Sequence, residues 1–287
     1  MLIVMAGSQS HIRGIPVIFV RHGQSANNVI LEPLLVKEVR GEITSEDLEE
    51  KFRKSRVDDP PLTKTGVVEA KRLGIHLKKA FDFNQKDSLQ FYTSPFKRTL
   101  DTTKCILQSF QTKEYNVTVH PEIFESGGVY MIDNNNRRVG PGKCYSANDI
   151  ANIYKGYDVS LLPKRGQWYV DGWEHDGKSR VRAQKVANWI KSPQFFEKHR
   201  NNKKMIVFIM HGNFIDHLQK ALLNIPDNLS LDSKTTNNHS IQNVSFGTPN
   251  TATSLFIIFG NGRVMCRHIG NIEHLHLGAK GSSFSRI

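Results

Sequence analysis

The chain has 287 residues, of which 38% are hydrophobic and 23% are charged, a balance typical of globular proteins. Its formal net charge of +12 predicts attraction to anions, whether nucleic acid, a membrane surface or a phosphorylated metabolite. Three scattered cysteines without metal-ligand spacing exclude a disulfide scaffold and favour a reducing compartment. We expect a cytoplasmic protein, because no stretch has the apolar length of a membrane span and the apolar start is too short for a secretory signal.

The first predicted strand covers residues 17–20 (VIFV) and follows a segment, 1–15, that we expect to be a flexible leader. Four apolar, mostly β-branched residues in a row are typical of a buried strand. Arg21 and His22 come directly after it, and Gly23 then ends the run. Because open α/β sheets bind ligands at the carboxyl ends of their strands, we expect chemistry at this pair. For this stretch alone, a surface arginine beside a half-buried histidine is the alternative.

The second predicted strand covers residues 91–93 (FYT) and lies between two predicted helices. The first of these helices follows a charged segment, in which Ser45 is a candidate N-cap, and has apolar residues at helical spacing from Val67 to Ala80. After the strand, Pro95 suits a first helical turn. Arg98 therefore lies near a helix N-terminus, where free N–H groups and the helix dipole favour anions.

Two acidic residues follow a third predicted strand, 117–119, and either could serve as a proton donor. Glu125 lies later in this loop and nearer the active edge of the sheet than Glu122, which is the alternative. Beyond them, the basic segment 134–143 contains Arg137 and Arg138. This segment is either a mobile surface loop or an element that grips the distal part of an anionic substrate.

The strand predicted at 205–210 (MIVFIM) ends in His211, as the first strand ends in His22. Two histidines and two arginines therefore converge on one site. Guanidinium groups that face imidazoles require an anion among them, and a phosphoryl group fits because arginine pairs its N–H donors with phosphoryl oxygens. A metal site made of two histidines and a glutamate is the alternative. Because two arginines oppose a cation, we predict neither a metal nor another cofactor.

Strands alternate with helices along the chain, and residues 261–262 (NG) form a hairpin turn between the last two strands. This order predicts an α/β fold, with three layers, a mainly parallel central sheet and helices on both faces. The sequence contains no nucleic-acid-binding module and no internal repeat.

These motifs resemble those of the histidine phosphatase superfamily (phosphoglycerate mutase-like). The resemblance runs from about residue 17 to residue 275 and implies a single domain of that fold over 16–277, followed by a flexible tail, 278–287. The family's segment before the DPPLT pattern at 59–63 is often shorter. We therefore interpret about 29–57 as an insertion, either a solvated surface excursion or a cap that shapes the substrate entrance. The motifs that carry the resemblance are RHGQS at 21–25 with Asn28, Ser94 and Pro95 with Arg98 and Thr102, Glu125 before Gly127 and Gly128, and HGN at 211–213.

The resemblance implies phosphoryl transfer through a phosphohistidine, with His22 as the nucleophile. The spacing before the glycine pair favours Glu125 over Glu122 as the acid that protonates the leaving oxygen. The implied catalytic residues are His22, Glu125, His211, Arg21 and Arg98. The predicted substrate-binding residues are Asn28, Ser25, Asn213, Ser94, Arg137 and Arg138.

We predict a phosphoric monoester hydrolase that acts on a small phosphorylated metabolite or a phosphoprotein, without nucleic acid or membrane as a partner. One alternative is a cofactor-dependent phosphoglycerate mutase. Such mutases have a Glu-Arg-His-Tyr-Gly-Gly segment, whereas residues 125–128 here read ESGG. Another is a non-catalytic phospho-ligand-binding module, which predicts loss of a core residue, although all five implied catalytic residues are present. The sequence is also compatible with a homodimer.

Overall fold

The computed structural model describes residues 14–80, 89–110, 116–200, 205–226 and 244–276. The expected leader, 1–15, lies outside these residues up to position 13, and the expected tail, 278–287, lies outside them entirely. Within the described ranges, no helix combines the length and the apolar character that a membrane span requires.

A central sheet of seven strands organises the described residues. The strands in chain order are β1 (Ile15–Arg21), β2 (Leu89–Thr93), β3 (Asn116–Val119), β4 (Tyr130–Ile132), β5 (Arg138–Pro141), β6 (Tyr157–Asp158), β7 (Met205–Met210), β8 (Thr253–Ile258) and β9 (Val264–Asn271). The sheet has the order β6-β3-β2-β7-β1-β8-β9, and β4 and β5 form a separate hairpin. Neighbouring strands from β6 to β1 are parallel, whereas β8 is antiparallel to both β1 and β9. The predicted mainly parallel sheet is confirmed.

Helices cover both faces of this sheet, because successive side chains of its buried strands point to opposite sides. Phe19 belongs to one apolar cluster with Phe214, whereas Val20 belongs to a second cluster with Leu73. The helices are α1 (Ala26–Val39), α2 (Ser45–Ser55), α3 (Lys64–Ala80), α4 (Lys97–Leu107), α5 (Ala147–Ile153), α6 (Asp176–Ile190), α7 (Pro193–Arg200), α8 (Gly212–Leu223) and α9 (Glu273–His276). The first cluster includes residues of α6, α7 and α8, and the second includes residues of α3 and α4. The three-layer α/β architecture is therefore confirmed.

The segment interpreted as an insertion, about 29–57, folds into α2 and most of α1. The N-cap of α2 is Thr44, so the assignment of that role to Ser45 was wrong by one residue. The Thr44 hydroxyl accepts a hydrogen bond from the Asp47 backbone N–H at 3.1 Å, and the Asp47 carboxylate accepts one from the Thr44 N–H, also at 3.1 Å. This reciprocal capping box satisfies two N–H groups at once, which Ser45 could not do with the same carboxylate.

Candidate active site

The carboxyl ends of β1 and β7 bring the two predicted histidines together. These strands are parallel neighbours with Arg21 level with Met210, so His22 and His211 follow at the same edge of the sheet. The His22 backbone N–H donates to the Met210 carbonyl at 3.0 Å, and the centroids of the two imidazoles lie 5.2 Å apart. Arg98 reaches His22 from the first turn of α4.

Hydrogen bonds to both ring nitrogens fix the orientation and the tautomer of His22. The Arg98 Nε–H donates to His22 Nε2 at 3.1 Å, and His22 Nδ1 lies 2.7 Å from the Gly23 carbonyl oxygen. Since a guanidinium group can only donate, Nε2 must be the acceptor and the proton must lie on Nδ1. His22 therefore presents an unprotonated Nε2 to the arginine side of the site.

A close contact between two glycines holds the loop that follows β1. A Cβ atom added to Gly23 would lie 2.4 Å from the carbonyl oxygen of Gly66, at the start of α3. The Gly23 N–H also donates to the Thr102 hydroxyl at 3.0 Å. Any side chain at position 23 would push the loop away from α3 and α4, and with it the carbonyl that orients His22.

The electrostatic surroundings keep His22 neutral. Burial holds the pKa of the His22 imidazole well below its usual value of 6.5, and the positive charges of Arg98 and Arg21 lower it further. The hydrogen bond to the Gly23 carbonyl opposes this shift but does not reverse it. At neutral pH, His22 is therefore an uncharged base with an available lone pair.

Arg98 is buried at the first turn of α4 and remains charged. Burial lowers the pKa of its guanidinium group to about 10, although the carboxylates of Asp59 and Glu125 favour the charged form. Asp59 accepts hydrogen bonds from the Lys97 backbone N–H at 3.0 and 3.1 Å, which places its carboxylate at the N-terminus of this helix. The guanidinium group also lies 4.2 Å from the centroid of the Phe96 ring. A cation in such a setting can attract an anion strongly, because little water screens it.

Two buried nitrogen atoms of the site have no hydrogen-bond partner among the described residues: Nε of Arg21 and Nδ1 of His211. Arg21 also donates from Nη1 to the Thr248 carbonyl at 2.7 Å, which fixes the direction of its guanidinium group. Burial lowers the pKa of the His211 imidazole well below 6.5, and Arg98 adds to this effect, so this ring is neutral. Unpaired buried polar atoms are rare in folded proteins, and two at one site indicate a place for a ligand with acceptor oxygens.

Ser94 lies behind His211 rather than at the cavity. Its hydroxyl is 2.8 Å from His211 Nε2, and the residue is completely buried. The hydroxyl also accepts a long hydrogen bond, 3.5 Å, from the Phe96 N–H. If Ser94 donates to Nε2, the proton of His211 lies on Nδ1, the atom that has no partner. The structure therefore gives the Ser94 side chain an orienting contact with His211, and Ser94 is not among the residues that line the cavity.

The loop after β3 separates the two candidate acids. One carboxylate oxygen of Glu125 accepts hydrogen bonds from the Ser126 N–H at 2.9 Å and the Phe214 N–H at 3.1 Å, at the start of α8. Glu125 lines the same cavity as His22 and Arg98, whereas Glu122 lines a separate cavity.

The buried side chain of Arg182 holds this loop in place. It donates to the backbone carbonyls of Glu122 at 2.8 Å and Phe124 at 3.0 Å, and it forms an ion pair with Glu174 at 2.6 Å. The chain therefore turns so that only Glu125 reaches the histidines.

Four of the predicted substrate-binding residues line the cavity: Ser25, Asn28, Asn213 and Arg138. The Asn28 side-chain oxygen accepts hydrogen bonds from the Ser25 N–H at 2.9 Å and the Ser25 hydroxyl at 2.8 Å, at the start of α1. It also accepts one from the Asn250 side chain at 3.3 Å. Because its oxygen is already engaged, Asn28 can offer only its N–H₂ group to a ligand.

The two adjacent predicted binding residues, Arg137 and Arg138, point in different directions. Arg138 lines the cavity, and its guanidinium group lies 3.7 Å from the centroid of the Trp173 ring. The Arg137 side chain is 70% exposed and pairs with Asp133 at 2.8 Å, within the turn between β4 and β5. The prediction that Arg137 binds substrate is therefore not supported by its position.

The site is the charged end of a cavity of about 520 Å³. Sequence reasoning did not assign roles to several residues that line it, among them Arg56 just after α2 and Thr248 before β8. Arg56 donates to the Tyr130 carbonyl at 2.9 Å and pairs with Asp58 at 3.2 Å. The charged segment around Arg56 was noted in the sequence, but nothing in it shows that one arginine turns inward.

The fold, a mainly parallel seven-stranded sheet with helices on both faces, is that of phosphoglycerate mutase-like proteins. Residues 17–131 match the model of the histidine phosphatase superfamily (branch 1). No curated protein is significantly similar to the chain in sequence.

Several solved structures are similar to this chain. The ecdysone phosphate phosphatase of Bombix mori, solved with tungstate, is 17% identical with a TM-score of 0.52; the match covers 84% of this chain and 88% of that chain. YhfR of Bacillus stearothermophilus is 16% identical with a TM-score of 0.49, and the match covers 91% of this chain and 99% of that chain. Phosphoserine phosphatase of Entamoeba histolytica, solved with 3-phosphoglyceric acid, is 17% identical with a TM-score of 0.43, covering 91% and 99%. The likeness to the ecdysone phosphate phosphatase, at 17% identity and a TM-score of 0.52, shows a shared fold.

Buried neutral histidines predict that acid destabilises the protein. Burial lowers the pKa of His120 and of His274 to about 4 and holds those of His22 and His211 well below 6.5. Between about pH 6.5 and 4 the unfolded chain binds protons that the folded chain does not, so stability falls as pH decreases. Burial raises the pKa of Asp59 to about 6 and also raises those of Glu32 and Glu69, which has the opposite sign. The pKa of a fifth histidine, His268, is lowered by burial as well, and the histidines therefore outnumber these carboxyl groups.

We expect the free energy of unfolding to be lower at pH 5 than at pH 7.5 by about 2 kcal/mol or more. Urea titrations at the two pH values measure this difference. Equal stability at both would show that these histidine rings are already solvated or charged in the folded protein.

Proposed function

We propose that this chain is a phosphomonoesterase that transfers the phosphoryl group of its substrate to His22 and then to water. The observation that carries this proposal is the hydrogen bonding of His22, whose Nδ1 faces the Gly23 carbonyl at 2.7 Å and whose Nε2 faces Arg98 at 3.1 Å. A neutral imidazole nitrogen is nucleophilic at neutral pH without a base to activate it, unlike a serine hydroxyl.

In the first step, His22 Nε2 forms a bond to phosphorus while the bond from phosphorus to the ester oxygen breaks. Arg98 releases Nε2 and donates to a phosphoryl oxygen instead, and Arg21 Nε and His211 Nδ1 supply two more donors. Donors of this kind, held in place before the reaction, stabilise the charge on the transferred group without reorganisation. Glu125, in the protonated form that this step requires, gives its proton to the departing oxygen.

In the second step, Glu125 takes a proton from a water molecule, whose oxygen attacks phosphorus. The bond from phosphorus to His22 breaks, inorganic phosphate leaves, and both residues return to their starting states. A mutase would use the same intermediate and pass the group to a second substrate hydroxyl. The ESGG segment at 125–128, which lacks the residues that such mutases have, favours water as the acceptor.

A labelling experiment tests the intermediate. We expect phenyl phosphate radiolabelled at phosphorus to label the protein within one turnover, and the label to survive base but not acid, as a phosphoramidate does. The His22→Ala variant should take up no label, whereas His276→Ala, which changes an exposed histidine at the end of α9, should label like the parent protein. An acid-stable label, or hydrolysis without any label, would contradict the proposal. Release of one inorganic phosphate for each ester consumed separates a phosphatase from a mutase.

A further inference from the structure

The cavity extends from the histidines into a region with apolar walls. The helices of the insertion contribute Leu31 and Leu35 from α1, and Leu48 and Phe52 from α2. Phe52 and Leu35 are only partly buried, so their side chains remain available for contact with a ligand. The sequence of this segment is mostly charged, but the residues that its two helices direct toward the site include these four apolar ones.

Aromatic residues from other parts of the chain line the same cavity. Tyr130 and Trp173 pack edge to face with their ring centroids 4.8 Å apart, and Phe96 and Phe246 also belong to the lining. Guanidinium groups lie over two of these rings: Arg56 at 4.0 Å from the Tyr130 centroid and Arg138 at 3.7 Å from that of Trp173. These contacts fix the rings as rigid walls.

The charged side chains at this end of the cavity form ion pairs within the protein, although the buried Nε of Arg138 has no hydrogen-bond partner among the described residues. Glu49 pairs with Arg53 at 3.8 Å and with Arg138 at 3.3 Å. Arg56 pairs with Asp58 at 3.2 Å and donates to the Tyr130 carbonyl at 2.9 Å.

Two further polar groups of this lining, those of Asp216 and Asn27, are engaged in the same way. Asp216 accepts from Lys220 at 2.7 Å and from the Phe246 N–H at 2.8 Å. The Asn27 amide exchanges two hydrogen bonds of 2.9 Å with the backbone of Val57. A ligand with many hydroxyl groups would have to compete for these partners, whereas an apolar ligand would not.

We infer that the substrate of the proposed phosphatase is a phosphomonoester of a bulky apolar alcohol, with an aromatic or alicyclic ring system rather than a sugar, an amino acid or a glycerate. This inference rests on the proposed function, since it assigns the apolar walls to the leaving group of the ester. A cavity of about 520 Å³ is in the range of small-molecule pockets, and a phosphoryl group occupies only its charged end. The remaining volume accommodates a group larger than a single ring.

Two matched pairs of substrates test this class. Cyclohexylmethyl phosphate and glucose 6-phosphate both have a six-membered ring on a primary phosphate ester but differ in their hydroxyl groups. Benzyl phosphate and 2-naphthylmethyl phosphate differ in size alone. We expect kcat/KM to be at least about 100-fold higher for cyclohexylmethyl phosphate than for glucose 6-phosphate, and about 10-fold higher for the naphthyl than for the benzyl ester.

Substitutions in the wall test its location. Phe52→Ala and Leu35→Asn should each lower kcat/KM for 2-naphthylmethyl phosphate about 10-fold, mainly through KM, and should change the value for benzyl phosphate less than threefold. Val39→Ala is the control, because Val39 belongs to α1 but is 71% exposed and lies outside the lining. Thermal unfolding of each variant shows whether it is folded. The comparison of the four esters uses the parent protein and does not depend on any variant.

The outcomes separate this inference from the proposed function. If benzyl phosphate is hydrolysed with a labelled His22 but glucose 6-phosphate, phosphoserine or a phosphopeptide is the better substrate, the inferred class is wrong and the phosphatase stands. Equal effects of Phe52→Ala and Val39→Ala on kcat/KM for 2-naphthylmethyl phosphate would also contradict the inferred substrate class. If none of the esters is hydrolysed and no label forms, the proposed function itself fails.

Discussion

Replacement of His22 by alanine is expected to lower kcat for 4-nitrophenyl phosphate by about 10⁴- to 10⁶-fold, the range seen when a covalent nucleophile is removed. The physical reason is the position of its Nε2, which is unprotonated, faces Arg98 at 3.1 Å and lines the cavity. The arginines and Glu125 would still bind the ester, so KM should change much less than kcat. Steady-state release of nitrophenolate at pH 7 measures both constants.

Two further variants keep this test specific. His276→Ala should retain the parent rate, because His276 is exposed on the short helix α9. His22→Gln removes the imidazole but keeps a side chain of similar reach for the Arg98 N–H, which controls for disturbance of the buried guanidinium group. A kcat of His22→Gln within tenfold of the parent value would exclude His22 as the nucleophile. His211 would then be the next candidate for that role.

The parts of the site that could be predicted lie at the ends of the buried strands. Residues 17–20 and 205–210 are apolar without interruption, which is typical of parallel strands covered on both faces. In the structure these strands are parallel neighbours with Arg21 level with Met210, which places His22 beside His211. Arg98 was also predictable, because Pro95 indicates the helix that carries it. Local sequence patterns were sufficient to predict a site residue where a strand or a helix fixes the direction of its side chain.

The parts that could not be predicted depend on contacts between distant segments. Arg56 turns inward because it donates to the Tyr130 carbonyl and lies over the Tyr130 ring, and no local pattern signals a partner 74 residues away. Arg137 and Arg138 are adjacent in sequence, yet the turn holds Arg137 against Asp133 while Arg138 enters the cavity. The helix α1 was missed because Pro33 lies inside it and its apolar residues do not form one buried face: Leu35 lines the cavity, whereas Val39 is 71% exposed.

Replacement of Glu125 by glutamine is expected to lower kcat for benzyl phosphate by about 10²- to 10⁴-fold, the usual contribution of a general acid and base. Glutamine keeps a side-chain oxygen that can accept from the Phe214 N–H, now 3.1 Å from Glu125, so the loop should hold its position. What glutamine cannot do is give up and take back a proton. Glu122→Gln is the matched control and should behave like the parent protein, because Glu122 lines a different cavity.

A comparison of two leaving groups tests whether Glu125 acts as a general acid. Nitrophenolate departs without a proton, so transfer of the phosphoryl group to His22 should be nearly normal in Glu125→Gln with 4-nitrophenyl phosphate. The second step still needs a base to activate water, and phosphohistidine should therefore accumulate. Rapid mixing should show a burst of about one nitrophenolate per active site followed by slow turnover, whereas benzyl phosphate should give a slow rate without a burst. Equal losses for both esters, with no burst, would mean that Glu125 only positions its neighbours at the start of α8. In that case a water molecule would have to supply the proton to the leaving oxygen.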